Sequence, residues 1–251
     1  MPWTESDSPS FRARHESTDA DDADLVLDSL ERTRARLSRL FPRTAAELTV
    51  VLHRRAASLV VANPLLPFAW FATAPAARRY VCGWAGSSEL HVLAPAALDH
   101  RASAVRGSRE MIALTAPALY ARRVIAENNR ELCHARAPTR LRLELRWAWL
   151  LEGAARWFAG QTEYARPAIA RRLRDGDSPS FPPGLRDATL LGATVIDLVA
   201  REQGELAAAR FASRLPAGGA RAALSNAFDG RSFKHTESAW RSHLARLGSL
   251  K

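Results

Sequence analysis

Residues 130–158 read RELCHARAPTRLRLELRWAWLLEGAARWF. Two patterns stand in this stretch: Arg130-Glu131-Leu132-Cys133-His134 at its start, and Trp149-x-x-Glu152-Gly153-x-Ala155 near its end. Apolar residues recur at helical spacing on both sides, which predicts one long helix over 115–137 and a second over 141–158. The first helix is expected to stop before Pro138, because the residue before a proline avoids helical geometry. These two helices decide the interpretation of the whole chain.

The flanking segments predict the rest of the fold. β-Branched and apolar runs predict strands over 47–53, 79–84 and 89–93, the last two joined by a turn that contains Gly86. After the helix pair the pattern is helical almost throughout, over 186–203, 205–214, 217–227 and 236–248. The prediction is an α+β fold: a small mixed sheet packed on a helix pair, followed by a helical C-terminal half.

The chain is expected to form one domain with an acidic tail. Residues 1–22 are rich in Ser, Asp and Glu and poor in large apolar side chains, which predicts disorder. Residues 23–251 are assigned to a single domain, with an α/β part over 23–114 and a mainly helical part over 115–251.

Composition excludes several classes of protein. Hydrophobic content of 47% and charged content of 25% are typical of a soluble globular protein. The sequence has no run of about 18 apolar residues, so no membrane span is predicted. The N-terminus lacks the pattern of a secretory signal. The two cysteines are too few for a disulfide framework, so a cytoplasmic location is expected.

The net charge is +10, and arginine supplies nearly all of the positive charge. A basic protein attracts nucleic acid or other anionic surfaces. The arginines are scattered, however, and no zinc-finger spacing or aromatic-interleaved basic stretch accompanies them. A nucleic-acid-binding module is therefore kept only as an alternative, and the sequence does not indicate an oligomeric state.

Residues 119–158 resemble the gluzincin zinc metallopeptidases, the thermolysin-like group with its shorter peptidase MA-like relatives, and the resemblance covers about residues 80–250. In that family two His four residues apart and a Glu from the following helix bind zinc, while a Glu beside the first His activates the bound water. The resemblance implies ligand positions at His134 and Glu152 and a general-base position at Glu131. It implies supporting positions at Trp149, Gly153 and Ala155, and a cleft bordered by the strand over 89–93.

One position departs from the family pattern, because Arg130 replaces the first zinc ligand. Arginine has no lone pair for a metal, so only His134 and Glu152 remain. Cys133 points about 100° away from His134 on a helix, and Glu127 is the only nearby replacement ligand. No cofactor is expected, although the family carries zinc.

Each position also has a plainer interpretation. Glu131 and His134 can be polar neighbours on one helix. Glu152 lies in an apolar stretch and needs a partner; zinc is one candidate and Arg130 the other, as a fixed cation between Glu152 and Glu127 or Glu131. Gly153 inside a helix indicates close packing against another helix.

The sequence therefore favours a metallopeptidase-like protein that has lost zinc binding and catalysis and retains a cleft for a peptide or protein. An active zinc-dependent peptidase with an atypical ligand set is the first alternative, and the basic nucleic-acid-binding module is the second.

Overall fold

The computed structural model describes residues 3–249 except 65, 74, 87 and 176. Within this part of the chain, five strands form one mixed sheet in the order β1-β2-β3-β5-β4. The strands are β1 (Trp3–Asp7), β2 (Phe11–Glu16), β3 (Leu48–His53), β4 (Gly83–Ala85) and β5 (Glu89–Leu93). The three central strands are parallel, and both edge strands are antiparallel to their neighbours.

Helices occupy most of the remaining described chain and most of its second half, which confirms the predicted α+β fold class. They are α1 (Ala20–Leu37), α2 (Ala56–Ala62), α3 (Leu66–Ala72), α4 (Pro75–Arg78), α5 (Ser108–Ala113), α6 (Thr115–Asn128), α7 (Arg130–Cys133), α8 (Ala137–Arg146), α9 (Ala148–Phe158), α10 (Thr162–Arg174), α11 (Leu185–Gln203), α12 (Glu205–Ala212), α13 (Gly219–Ala227) and α14 (Phe233–Ser249).

The predicted disorder of residues 1–22 is wrong for the part of this segment that the structure describes. Strand β2 pairs with β1 on one side and β3 on the other. Its residues Phe11 and Ala13 are buried in the core, while Arg12 and Arg14 form ion pairs with acidic residues of β1 on the opposite face. The composition misled because Glu5 and Asp7 form cross-strand pairs at one side of a sheet, and Asp21 and Asp22 lie in the first turn of α1.

The sheet predicted around the helix pair is largely confirmed. Strands β3 and β5 match the predicted ranges 47–53 and 89–93, and β4 and β5 form the predicted antiparallel hairpin. β4 is shorter than predicted, since it begins only at Gly83. One expectation is corrected: β5 lies inside the sheet between β3 and β4, so β4 is the strand at the edge.

The helix predicted over 115–137 is interrupted at Asn129. This residue is extended, with φ −100° and ψ 107°, and its side chain accepts a hydrogen bond from the backbone N–H of Leu132. It therefore ends α6 and caps the short helix α7. The second predicted helix is also interrupted, at Trp147 between α8 and α9, where φ is −107° and ψ is 17° and no side chain caps the break. Residues after Asn129 consequently do not continue the faces of α6.

Helix α9 packs against α6 and against α11. A Cβ atom on Gly153 would overlap the carbonyl group of Gly192, and one on Gly192 would overlap the carbonyl oxygen of Trp149. The two glycines thus allow the backbones of α9 and α11 to touch. This confirms the close helix packing that Gly153 indicates in the sequence, and it holds α9 in one position.

Two further expectations from the sequence concern membrane spans and cysteines. No described helix is long and apolar enough to cross a bilayer. Cys82 is buried, Cys133 is exposed, and both are free thiols.

Candidate functional site

A cleft of about 560 Å³ opens beside the edge strand β4. Residues of α3, α6, α8, α9 and α11 and of the loops next to α3 and β4 line the rest of it. Leu141 and Leu145 of α8 and Leu185 of α11 contribute apolar surface, each about half exposed. The cleft therefore combines a strand edge, an apolar rim and the charged residues described below.

A second cavity, about 1050 Å³, lies elsewhere and is lined in part by α10 and the start of α11. Its least exposed charges pair with each other, since Arg172 donates to both carboxylate oxygens of Asp187 at 2.7 and 2.8 Å. None of the residues that the sequence singles out lines this cavity. The candidate site is therefore the cleft beside β4.

The free edge of β4 presents backbone groups to this cleft. The N–H of Gly86 donates to Glu89, and the N–H of Leu93 donates to Cys82. Because antiparallel pairing uses alternate residues, the peptide groups of Trp84 face β5. Those of Gly83 and Ala85 face away from the sheet. Both residues line the cleft, but Gly83 is buried and only Ala85 of the two is exposed.

A chain of ion pairs crosses the cleft from α8 to α9. The Nε of Arg122, on α6, donates to Glu152 on α9 at 2.8 Å. The Arg122 guanidinium also lies 3.9 Å from Glu144 on α8, which accepts from the Nε of Arg140 at 3.0 Å. Arg122 therefore stands between the carboxylates of two neighbouring helices and joins α6, α8 and α9.

The electrostatics of Glu152 are set by its neighbours. Burial disfavours its charged form, but the positive charges of Arg122 and Arg156 outweigh that effect, and the pKa of Glu152 lies below its ordinary value. About a third of the side chain is exposed, at 36%. Glu152 is therefore an ionised carboxylate that is held by a cation.

Arg156, one turn further along α9, is a buried cation with neutral partners. It is only 8% exposed, and it donates to the side chain of Gln161 at 2.7 Å and to the carbonyl of Tyr80 at 3.4 Å. Its Nε–H has no hydrogen-bond acceptor among the described residues. Burial lowers the pKa of this guanidinium, and the charge of Glu152 opposes that shift.

The structure separates the two halves of the sequence pattern. Arg130, Glu131 and His134 are exposed, lie at α7 and do not line the cleft. The expected pair between Arg130 and Glu152 is corrected: among the described ion pairs, Glu152 is joined to Arg122. The interruption at Asn129 is the physical reason, because it removes α7 from the helix that faces α9.

The remaining predicted site residues lie on α9, on its cleft side or its buried side, and on α6. Ala155 lines the cleft with Glu152. Trp149 and Gly153 are buried, the first against Phe211 and the second against α11. Glu127 lies on α6 and accepts from the Nε of Arg123 at 2.6 Å, instead of serving Arg130.

Sequence reasoning missed Arg122, although a signal was present. Arg122 and Arg123 interrupt an otherwise apolar run from Ala116 to Ile125, most of which is buried. A charged side chain in such a run requires a partner. Glu152, on α9, also lies in an apolar stretch and requires a partner of opposite charge. An ion pair between Arg122 and Glu152 could therefore have been predicted from the sequence.

The donors of the cleft do not fit a zinc ion. Among the described residues, no group of three or more His, Cys, Asp or Glu side chains is placed to hold a metal. Glu152 already accepts from Arg122, while His134 lies outside the cleft. A zinc centre of the gluzincin type needs three such ligands. The cleft instead places the guanidinium of Arg122 against Glu152.

Comparison with known proteins adds no relative: no family model, no curated protein and no solved structure matches the chain.

Proposed function

We propose that the protein is a metallopeptidase-like, non-catalytic protein that binds an extended peptide segment in the cleft beside β4. The observation that carries the proposal is the ion pair between Arg122 and Glu152 in a cleft that borders an open strand edge. The resemblance to gluzincins implies a zinc-ligand position at Glu152, and here that carboxylate is held by a guanidinium.

Arg122 acts as a fixed cation in the cleft. A guanidinium stays protonated and offers five N–H donors, and the Nε–H of Arg122 donates to Glu152. Such a cation can attract a carbonyl or carboxylate oxygen of a ligand. It cannot supply a metal-bound water, so the cleft retains attraction for a peptide without the means to hydrolyse it.

The strand edge supplies the second part of the binding mode. Ala85 is exposed, so an extended segment can pair with its outward peptide groups as an additional strand, whereas Gly83 lines the cleft but is buried. Leu141, Leu145 and Leu185 then offer apolar surface to its side chains. Main-chain pairing would provide affinity, and the side-chain contacts would provide selectivity.

Replacing Ala85 by proline tests this mode, because proline removes one outward N–H and is tolerated at a sheet edge. We expect Ala85→Pro to abolish binding of a mixed pool of ten-residue peptides, measured by fluorescence anisotropy. Ala85→Val is the matched control, since it adds bulk and keeps the N–H.

A second measurement addresses catalysis. Incubation of purified protein with zinc and the same peptides, followed by mass spectrometry, should show intact peptides. Stoichiometric zinc that is lost in Glu152→Ala, together with peptide cleavage, would instead support an active zinc peptidase and overturn the proposal.

A further inference from the structure

The charges around Glu152 do not balance, and the imbalance points to the ligand's chemistry. Four arginines and two glutamates line the cleft; they are Arg122, Arg123, Arg140, Arg156, Glu144 and Glu152. Arg123 is paired with Glu127, and Arg140 with Glu144. Arg122 is paired with Glu152 and lies 3.9 Å from Glu144, which Arg140 already holds, so Arg122 and Arg156 together have one full carboxylate partner, Glu152.

Arg156 is the cation of this pair that has no carboxylate within hydrogen-bond distance among the described residues. This side chain is more than nine-tenths buried and lines the cleft. Its described hydrogen-bond partners are a neutral amide and a backbone carbonyl, and its Nε–H has no acceptor among the described residues. A buried cation without a paired anion is costly, so one negative charge entering the cleft would be favoured.

The sheet geometry determines which side chains of an added strand can meet these charges. Gly83 is paired directly with Val92. A Cβ on Gly83 would meet the carbonyl oxygen of His91 and, at 3.0 and 3.1 Å, the side chains of Val92 and of Leu119 on α6. A ligand residue opposite Gly83 or Ala85 has its side chain on that same face. Alternate side chains of the segment would therefore point toward α6, the helix that carries Arg122.

From these observations we infer that the cleft selects an extended segment with an acidic side chain, Asp or Glu, among apolar residues. This inference rests on the proposed peptide-binding function. The acidic side chain lies at the position paired with Ala85, and its carboxylate neutralises the surplus charge shared by Arg122 and Arg156. The neighbouring apolar side chains contact Leu141, Leu145 and Leu185.

Two pools of mixed-sequence ten-residue peptides test the inference, identical except for Glu or Gln at the central position. Fluorescence anisotropy should show binding of the Glu pool about ten- to a hundredfold tighter than that of the Gln pool, as expected for charge-assisted hydrogen bonds. Arg122→Gln should bring the two pools to within about twofold, because the remaining charges of Glu152 and Arg156 cancel. Arg142→Gln, an exposed arginine on α8 outside the cleft lining, should keep the full preference.

Failure of the inference and failure of the proposed function give different results. Equal binding of both pools that is lost in Ala85→Pro overturns acidic selection and leaves the peptide cleft in place. Absence of binding by either pool overturns both. A Glu preference that Arg142→Gln reduces as much as Arg122→Gln does reflects only general attraction to a basic surface, and it also overturns the inference. Circular dichroism of each variant confirms that it is folded.

Discussion

Helices α7 and α9 carry the two halves of one sequence pattern, and they occupy very different places in the fold. Helix α9 lies between α6 and α11, and most of its residues are buried. Of the four residues of α7, only Leu132 is buried. The Trp-x-x-Glu-Gly-x-Ala pattern is tied to packing at nearly every position, whereas Glu-x-x-His on α7 is constrained by almost nothing. A sequence pattern locates a site more reliably when packing contacts determine the identity of more of its residues.

The largest difference between the two helices should come from Gly153→Ala. The new Cβ would overlap the carbonyl of Gly192, a backbone group that cannot rotate away. We expect a loss of about 3 kcal/mol or more in the free energy of unfolding, measured by urea denaturation. Gly248→Ala on α14 is the control: its Cβ would meet the end of Leu173 at 3.3 Å, so the change should stay within about 1 kcal/mol. Equal losses would show that the helix crossing does not decide the stability of α9.

The next comparison is between two arginines. Arg122→Met leaves Glu152 without its partner, and we expect a loss of about 1–3 kcal/mol in the free energy of unfolding at pH 7. The lower end is favoured because the Glu152 side chain is 36% exposed. Arg130→Met on α7 should change stability by about 0.5 kcal/mol or less.

The same pair predicts a pH dependence. The folded pKa of Glu152 is below the ordinary value of 4.5, so the stability it contributes is present above that pH and is lost as the pH falls below it. The difference between wild type and Arg122→Met should therefore shrink in acid. An undiminished difference at pH 3 would contradict the ion pair as its source.

A histidine pair beside β4 gives a smaller effect. His53 Nε2 lies 3.0 Å from His91 Nδ1, and the ring of His91 stacks on Trp84. Burial, with a contribution from His91, lowers the pKa of His53 to about 4. The unfolded chain takes up this proton first, so stability should be fully present above about pH 6.5 and fall as the pH drops toward 4, by about 1–2 kcal/mol.

Urea denaturation of His53→Gln over the same pH range checks this. The slope between pH 6.5 and 4 should flatten. His134→Gln on α7 should retain the wild-type slope, because the pair between β3 and β5 is intact. A slope unchanged in His53→Gln would place the titration elsewhere.

The smallest expected effect is that of Arg130→His. On sequence alone this change rebuilds two histidines and one glutamate at the family's spacing. In the structure, residue 130 lies at α7 and Glu152 is engaged with Arg122, so we expect no gain in zinc content by atomic absorption. One zinc per chain in this variant would show that α7 can reach the cleft.

The sequence by itself determined the mixed fold class, two central strands, the β-hairpin and the helical second half, because each rests on local periodicity of apolar residues. It also determined that Glu152 needs a cation and that Gly153 needs a close neighbour. Both are demands of a single residue type on whatever surrounds it.

Only the tertiary structure decided which residues meet those demands. Asn129 interrupts a helix whose periodicity continues past it, so Arg122 and not Arg130 faces Glu152. The acidic N-terminal segment became two strands because β3 and α1 give Phe11 and Ala13 a core to enter. Partner choice depends on where helices cross and strands pair, and these are contacts between residues far apart in the chain that no local pattern records.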